Sequence, residues 1–142
     1  MSGIVTWLSG GLAAAIMLGI AGLHVYWAFG GQAGAAAAIP EVAGKPAFAP
    51  TPLMTLGVAG VLIAAAILVL GAAGVFGGDA PGDLFTVGTG FVIGAFLLRA
   101  MGDFNRFGFF KKVTGTRFAE LDTRLYSPLC LGLAALSAGA LV

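Results

Sequence analysis

Charge is what this sequence lacks most: only 9% of its 142 residues are Asp, Glu, Lys or Arg, against 59% that are hydrophobic. So few polar side chains cannot cover a globular surface in water, which makes lipid the main solvent of the chain. A net charge of +1 supplies no broad field for a polyanion, and nucleic-acid binding is excluded with it. Cysteine occurs once, at Cys130, which removes intrachain disulfides, CxxC redox chemistry and cysteine-based metal clusters. That lone thiol reads as a small packing residue. Histidine also occurs once, at His24, so a haem would have no second imidazole. No metal site and no cofactor is expected. P-loop, GxSxG, HExxH and paired-carboxylate arrangements are missing too, and the soluble-enzyme templates go with them.

What is present is a series of long uncharged runs. About 20 apolar residues suffice to cross the ~30 Å hydrocarbon layer, and a backbone in lipid must satisfy its own hydrogen bonds, which leaves helices once barrel-like alternation is absent. The expected fold is therefore all-α: a single domain, 1–142, forming a four-transmembrane-helix bundle. Its spans fall at about 4–29, 52–76, 84–102 and 125–142, with a short interfacial helix between spans three and four. The first run lacks a basic flank and is longer than the apolar core of a secretory signal, so it reads as a retained span. Gly77-Gly78, then Asp79 and Pro81, stop span two. Ser127-Pro128 reads as an N-cap and first-turn proline opening span four, with an earlier start near Thr123 as the alternative. The pairs Gly57 and Gly60, Gly71 and Gly74, Gly90 and Gly94, and Ala135 and Gly139 predict close helix approach.

The scarce charge is concentrated. Six of the seven basic residues (Arg99, Arg106, Lys111, Lys112, Arg117, Arg124) fall between Arg99 and Tyr126, and the seventh is Lys45. With four crossings, loops 31–51 and 103–124 share one side and, counted with the Arg99 end of span three, that side holds all seven. The positive-inside rule then predicts these loops in the cytoplasm and both termini outside.

Candidate site residues gather at that cytoplasmic end. His24 lies roughly 8 Å below the end of span one at ~1.5 Å rise per residue, where even a neutral imidazole needs a partner. It reads either as a tie to a neighbouring helix carbonyl or to Asp103, or as a functional group. Trp27, three residues on, shares its face, whereas Tyr26 faces away and suits an aromatic belt. Gly30-Gly31 ends the helix. Arg99 and Asp103, at i and i+4, read either as a self-satisfied pair or as an anion clamp with Asp103 orienting the guanidinium, extended by Asn105 and Arg106. Phe104, Phe107, Phe109 and Phe110 beside Lys111 and Lys112 read as an interfacial anchor. Phe118, Leu121 and Leu125 recur at helical spacing, so residues 116–124 predict a short amphipathic surface helix, with Asp122, Arg124 and Tyr126 at the rim of the polar zone. In loop one, Pro40, Pro46, Pro50 and Pro52 forbid a continuous helix and Ala43-Gly44 suits a tight turn, which predicts an extended lid or small hairpin over that zone. Glu41 and Lys45 read as solvated.

The stretches LHVYWAFGG, IPEVAGKPAFAPTP and LLRAMGDFNRFGFFKKVTGTRFAELDTRLYSPLCL together resemble the signature segments of a domain-of-unknown-function family, number 3995 in its series, of small bacterial four-helix membrane proteins. The resemblance runs over nearly the whole chain in the same order. It implies a multi-pass protein of the bacterial cell (inner) membrane and carries no catalytic residue over.

Three functions compete. The first is a pocket for an amphipathic anion, a lipid-like, quinone-like or isoprenoid molecule, made by His24, Trp27, Arg99, Asp103, Arg106, Asp122, Arg124 and Tyr126, with His24 and Asp103 as acid/base candidates if a reaction occurs. The second is a structural or accessory subunit, as a homo-oligomer or within a larger membrane complex. Transport is weaker, since no charge lies near a midplane and no broken helix pair is evident.

Overall fold

The computed structural model describes residues 2–77 and 82–142. Its elements are α1 (Ser2–Ala28), a short α2 (Ala35–Ala38), strands β1 (Glu41–Val42) and β2 (Lys45–Pro46), α3 (Pro52–Ala72), α4 (Gly82–Met101), α5 (Arg117–Leu121), a π-helical turn (Asp122–Tyr126) and α6 (Ser127–Gly139). The expected stop of span two at Gly78, Asp79 and Pro81 lies outside the described residues.

Three helices, Gly3–Ala28, Pro52–Ala72 and Gly82–Met101, are long and apolar enough to cross a membrane. The four long elements pack in a ring, α1 on α3, α3 on α4, α4 on α6 and α6 on α1, so α1 and α4 stand on a diagonal. The centre is built largely of alanine (Ala13, Ala14, Ala65, Ala66, Ala73 and Ala140) around Met17, Val69 and Leu133, which lets the backbones come close. Outward faces carry bare large apolar side chains, among them Phe91 at 77% exposure and Val61 at 69%. A water-facing protein does not present apolar surface on that scale, whereas acyl chains cover it without cost.

Local chemistry sets the ends. Thr51 Oγ1 accepts from the Met54 amide at 3.2 Å with Pro52 at the first helical position, so α3 starts there. Gly30 (φ +96°) turns the chain out of α1. In loop one, Ala43 (φ 52°) and Gly44 (φ 74°) make the two-residue turn of a minimal hairpin, pairing Val42 with Lys45 and Glu41 with Pro46. α2, ahead of the prolines, has no counterpart in the sequence reading.

Two expectations are corrected. Ser127-Pro128 does not open the last helix, because the chain is already helical from Arg117, where Thr116 Oγ1 caps the Ala119 amide at 3.1 Å. Pro128 instead sits inside a continuous helical run, where its missing N–H would orphan a carbonyl one turn back. The preceding turn absorbs this by widening: the Ser127 amide donates to Asp122 O, five residues behind. Phe118, Ala119 and Asp122 are buried, so this segment packs against the protein. The small-residue pairs also divide. A Cβ at Gly71 would strike Phe85 and one at Gly139 would strike Ser9, whereas Gly57, Gly60, Gly90 and Gly94 have open space beside them and make no close approach within the bundle.

Candidate functional site

Two separate groups of residues occupy the end of the bundle where α1 and α4 finish. The first is ionic and centres on Asp122, which is fully buried. Its Oδ1 accepts from Arg99 Nη2 at 2.9 Å; its Oδ2 accepts from the Gly108 amide at 2.7 Å and from Lys111 Nζ at 3.1 Å. Lys111 Nζ also donates to Gly108 O at 3.0 Å and Thr123 Oγ1 at 2.6 Å, which uses all three of its protons. The Arg99 guanidinium lies 4.8 Å over the Phe107 ring. One carboxylate thus holds two cations and a backbone amide in a place where none of them would be stable alone.

The π turn and the preceding loop explain the convergence. Asp122 falls four residues after Phe118 and three after Ala119, on their buried face. Gly102 (φ +87°) and Gly108 (φ +87°) let the loop lie backbone to backbone against the end of α4: a Cβ on either would collide with Phe107 or Met101 carbonyl oxygen. The Phe109 amide then donates to Ala100 O at 2.8 Å.

The expected Arg99–Asp103 pair is overturned. Gly102 ends α4, so Asp103 is outside the helix and the i, i+4 geometry does not exist. Asp103 Oδ1 instead accepts from the Asn105 amide at 2.9 Å, the Arg106 amide at 2.6 Å and the Phe107 amide at 3.1 Å. Desolvation pushes this carboxyl's pKa up, but the three amides and the Arg106 charge outweigh it and hold it below the ordinary value. The same cluster of bonds supports Phe104 in a left-handed conformation (φ 60°).

The second group is apolar. A cavity of about 300 Å³ lies between α1, α2, the return of loop one and α3, lined by His24 and Trp27, Phe48 and Pro50, and Met54, Thr55 and Val58. The rings of His24 and Trp27 meet edge to face at 5.1 Å. His24 Nδ1 lies 2.8 Å from Ile20 O, a carbonyl of its own helix, rather than from a neighbouring helix or Asp103. A carbonyl can only accept, so Nδ1 carries the proton. Trp27 Nε1 donates to Ala33 O at 2.8 Å and Thr55 Oγ1 to Thr51 O at 3.0 Å.

The eight candidate residues therefore do not share one pocket. His24 and Trp27 line the cavity; Arg99 and Asp122 belong to the ionic group, and Asp103 organises the loop beside it. Arg106 and Arg124 are exposed, and Arg124 borders a shallow notch with Lys111, Thr114 and Glu120. Tyr126 links the two groups: its hydroxyl donates to Ala37 O of α2 at 3.1 Å while its ring packs 5.9 Å from Phe118. The sequence reading missed Lys111, taken for a lipid-facing ammonium, though a carboxylate on the Phe118 face already demanded a buried cation.

This arrangement defines a helical membrane protein whose described residues include no group of three or more His, Cys, Asp or Glu able to hold a metal. The chain belongs to the family described as protein of unknown function (DUF3995), whose model matches residues 17–137. Comparison with curated proteins and with solved structures gives no match.

An Asp122→Asn substitution is expected to lower stability in detergent by about 3 kcal/mol, because the buried Lys111 and the partly buried Arg99 lose their countercharge. Amide exchange in residues 102–113 should rise with it, whereas Glu120→Gln, at an exposed position, should change neither. Unchanged exchange in Asp122→Asn would refute the structural role.

Proposed function

We propose that the chain crosses the membrane four times and binds an amphipathic small molecule in the cavity beside His24. Support for the fourth crossing comes from residues 117–139, a continuous helical run that would extend about 34 Å at ~1.5 Å per residue, with its charged turns at the interface. With four crossings, loops 31–51 and 103–124 face the cytoplasm of a bacterial cell and both termini face outside, since every Lys and Arg falls on one side. In a Cys130→Ala background, Gln32→Cys and Thr114→Cys should resist a membrane-impermeant maleimide on intact cells while Phe76→Cys reacts. The opposite labelling would reverse the orientation.

The cavity itself is the observation that carries the binding reading. It lies at the predicted membrane boundary and near the lower end of the about 300–1,000 Å³ range of small-molecule sites, with an apolar wall and a few polar atoms. Phe48 and Pro50 form its lid, stiffened by the prolines on either side of the hairpin. The Asp122 group, whose carboxylate is engaged at both oxygens, fits a structural clamp that holds the loop 102–116 and, through Tyr126, fixes α2 at the rim of the cavity. An anionic head group held by Arg99, one of the expectations from sequence, is a different site from this cavity, whose wall does not include that guanidinium.

With Trp7→Phe, Trp27 becomes the sole tryptophan and reports on the cavity. A bromine-tagged decanol should quench it saturably in nanodiscs, and an Ala38→Phe variant, which fills the cavity, should show only the linear quenching of a probe dissolved in lipid. Linear quenching in both would remove the binding site.

A further inference from the structure

The walls of the cavity also specify what kind of head group it accepts, an inference that rests on the binding reading above. Every side-chain donor in the lining is already used within the protein. Trp27 Nε1 donates a hydrogen bond to Ala33 O, Thr55 Oγ1 to Thr51 O, and His24 Nδ1 to Ile20 O. The lining residues carry no fixed charge, and Arg99 and Lys111 pair with Asp122 outside the wall. What remains open is a set of lone pairs, foremost His24 Nε2, which has no hydrogen-bond partner among the described residues. In a singly protonated imidazole whose proton is on Nδ1, Nε2 can only accept.

We propose that the cavity binds a neutral amphiphile whose head group donates a hydrogen bond, a hydroxyl or phenol on a hydrocarbon body, with His24 Nε2 as the acceptor. A ligand bearing only acceptors, such as an ether or an ester, would bring its oxygen against the imidazole lone pair and leave both without a donor. A carboxylate or phosphate would meet the same lone pair with a full negative charge and no cation in the wall. The volume admits about ten non-hydrogen groups at ~30 Å³ each, so a single chain of that size fills it. The Trp27 ring packed on His24 and the apolar side chains of Phe48 and Met54 surround the hydrogen bond with hydrocarbon, where such a bond discriminates more than in water.

The test uses three probes of nearly equal size: decanol, methyl nonyl ether and decanoate. Each competes with the bromine-tagged probe against Trp27 at pH 8, on the Trp7→Phe chain and on the same chain carrying His24→Phe. Taking the decanol-to-ether ratio on one protein over that on the other cancels the unequal partition of the probes into lipid. Decanol is expected to exceed the ether by about fivefold with His24 and to lose that advantage with His24→Phe, the size of one net hydrogen bond. A second readout needs no variant. Because His24 is the only histidine, the Nε2 nitrogen resonance of an untagged, labelled chain is unambiguous, and decanol should shift it while the ether leaves it in place. Equal binding of decanol and ether, or tightest binding of decanoate, would overturn the donor requirement and leave the binding site standing. Absence of saturable binding by any probe would overturn the site and this inference together.

Discussion

A single buried carboxylate organises the polar end of this protein. Asp122 is inside a bundle that offers almost no other countercharge, and an ionised group there is tolerable only if its lone pairs are fully engaged. The chain meets that demand by folding residues 102–116 back so that Lys111 and the Gly108 amide reach Oδ2 while Arg99 reaches Oδ1. The loop's order follows from this. Gly102 and Gly108 permit the close approach, Asp103 gathers three consecutive amides, and Phe107 slides beneath the guanidinium. The widened turn that accommodates Pro128 begins at the same aspartate, so helix irregularity and charge placement share one location.

Drawing the ions together has a second effect, which is felt across the bundle. Arg99 and Lys111 point at Asp122, and the space beside α1 is left without a fixed charge. There the chain places an imidazole, an indole and a proline-braced segment around an apolar cavity. Tyr126 couples the two regions mechanically, with one end of its side chain against Phe118 and the other on the α2 carbonyl of Ala37. The ionic group is thereby the foundation on which α2 rests, and the neutral cavity is the part with unused hydrogen-bonding capacity.

Much of the architecture was legible from the residues. Uncharged runs marked α1, α3 and α4 to within a few residues, because lipid imposes both length and composition. Ala43-Gly44 and the surrounding prolines announced the hairpin, and the spacing of His24 and Trp27 placed both rings on one face. The failures have common physical causes. Arg99 and Asp103 looked paired because helical spacing was assumed to continue past Gly102, where the backbone turns left-handed. Ser127-Pro128 looked like a helix start because a π turn, which makes an interior proline tolerable, leaves no plain mark in sequence. Lys111 and Asp122 are eleven residues apart with irregular loop between them, and their meeting depends on two glycines whose role is visible only when the loop is folded. One pocket was expected where there are two groups, since membrane sidedness fixes depth but not position around a ring of helices.

The account's central claim is that the uncharged His24 cavity, and not the Arg99–Asp122–Lys111 group, is where a ligand's polar end rests. Locating the bromine of ω-bromodecanol by anomalous scattering in crystals grown in lipid would test it most directly. The account predicts one bromine peak near Met54 and Val58, with the hydroxyl density at His24 Nε2. A peak beside Phe107 and Arg99 instead, with an empty cavity, would contradict it.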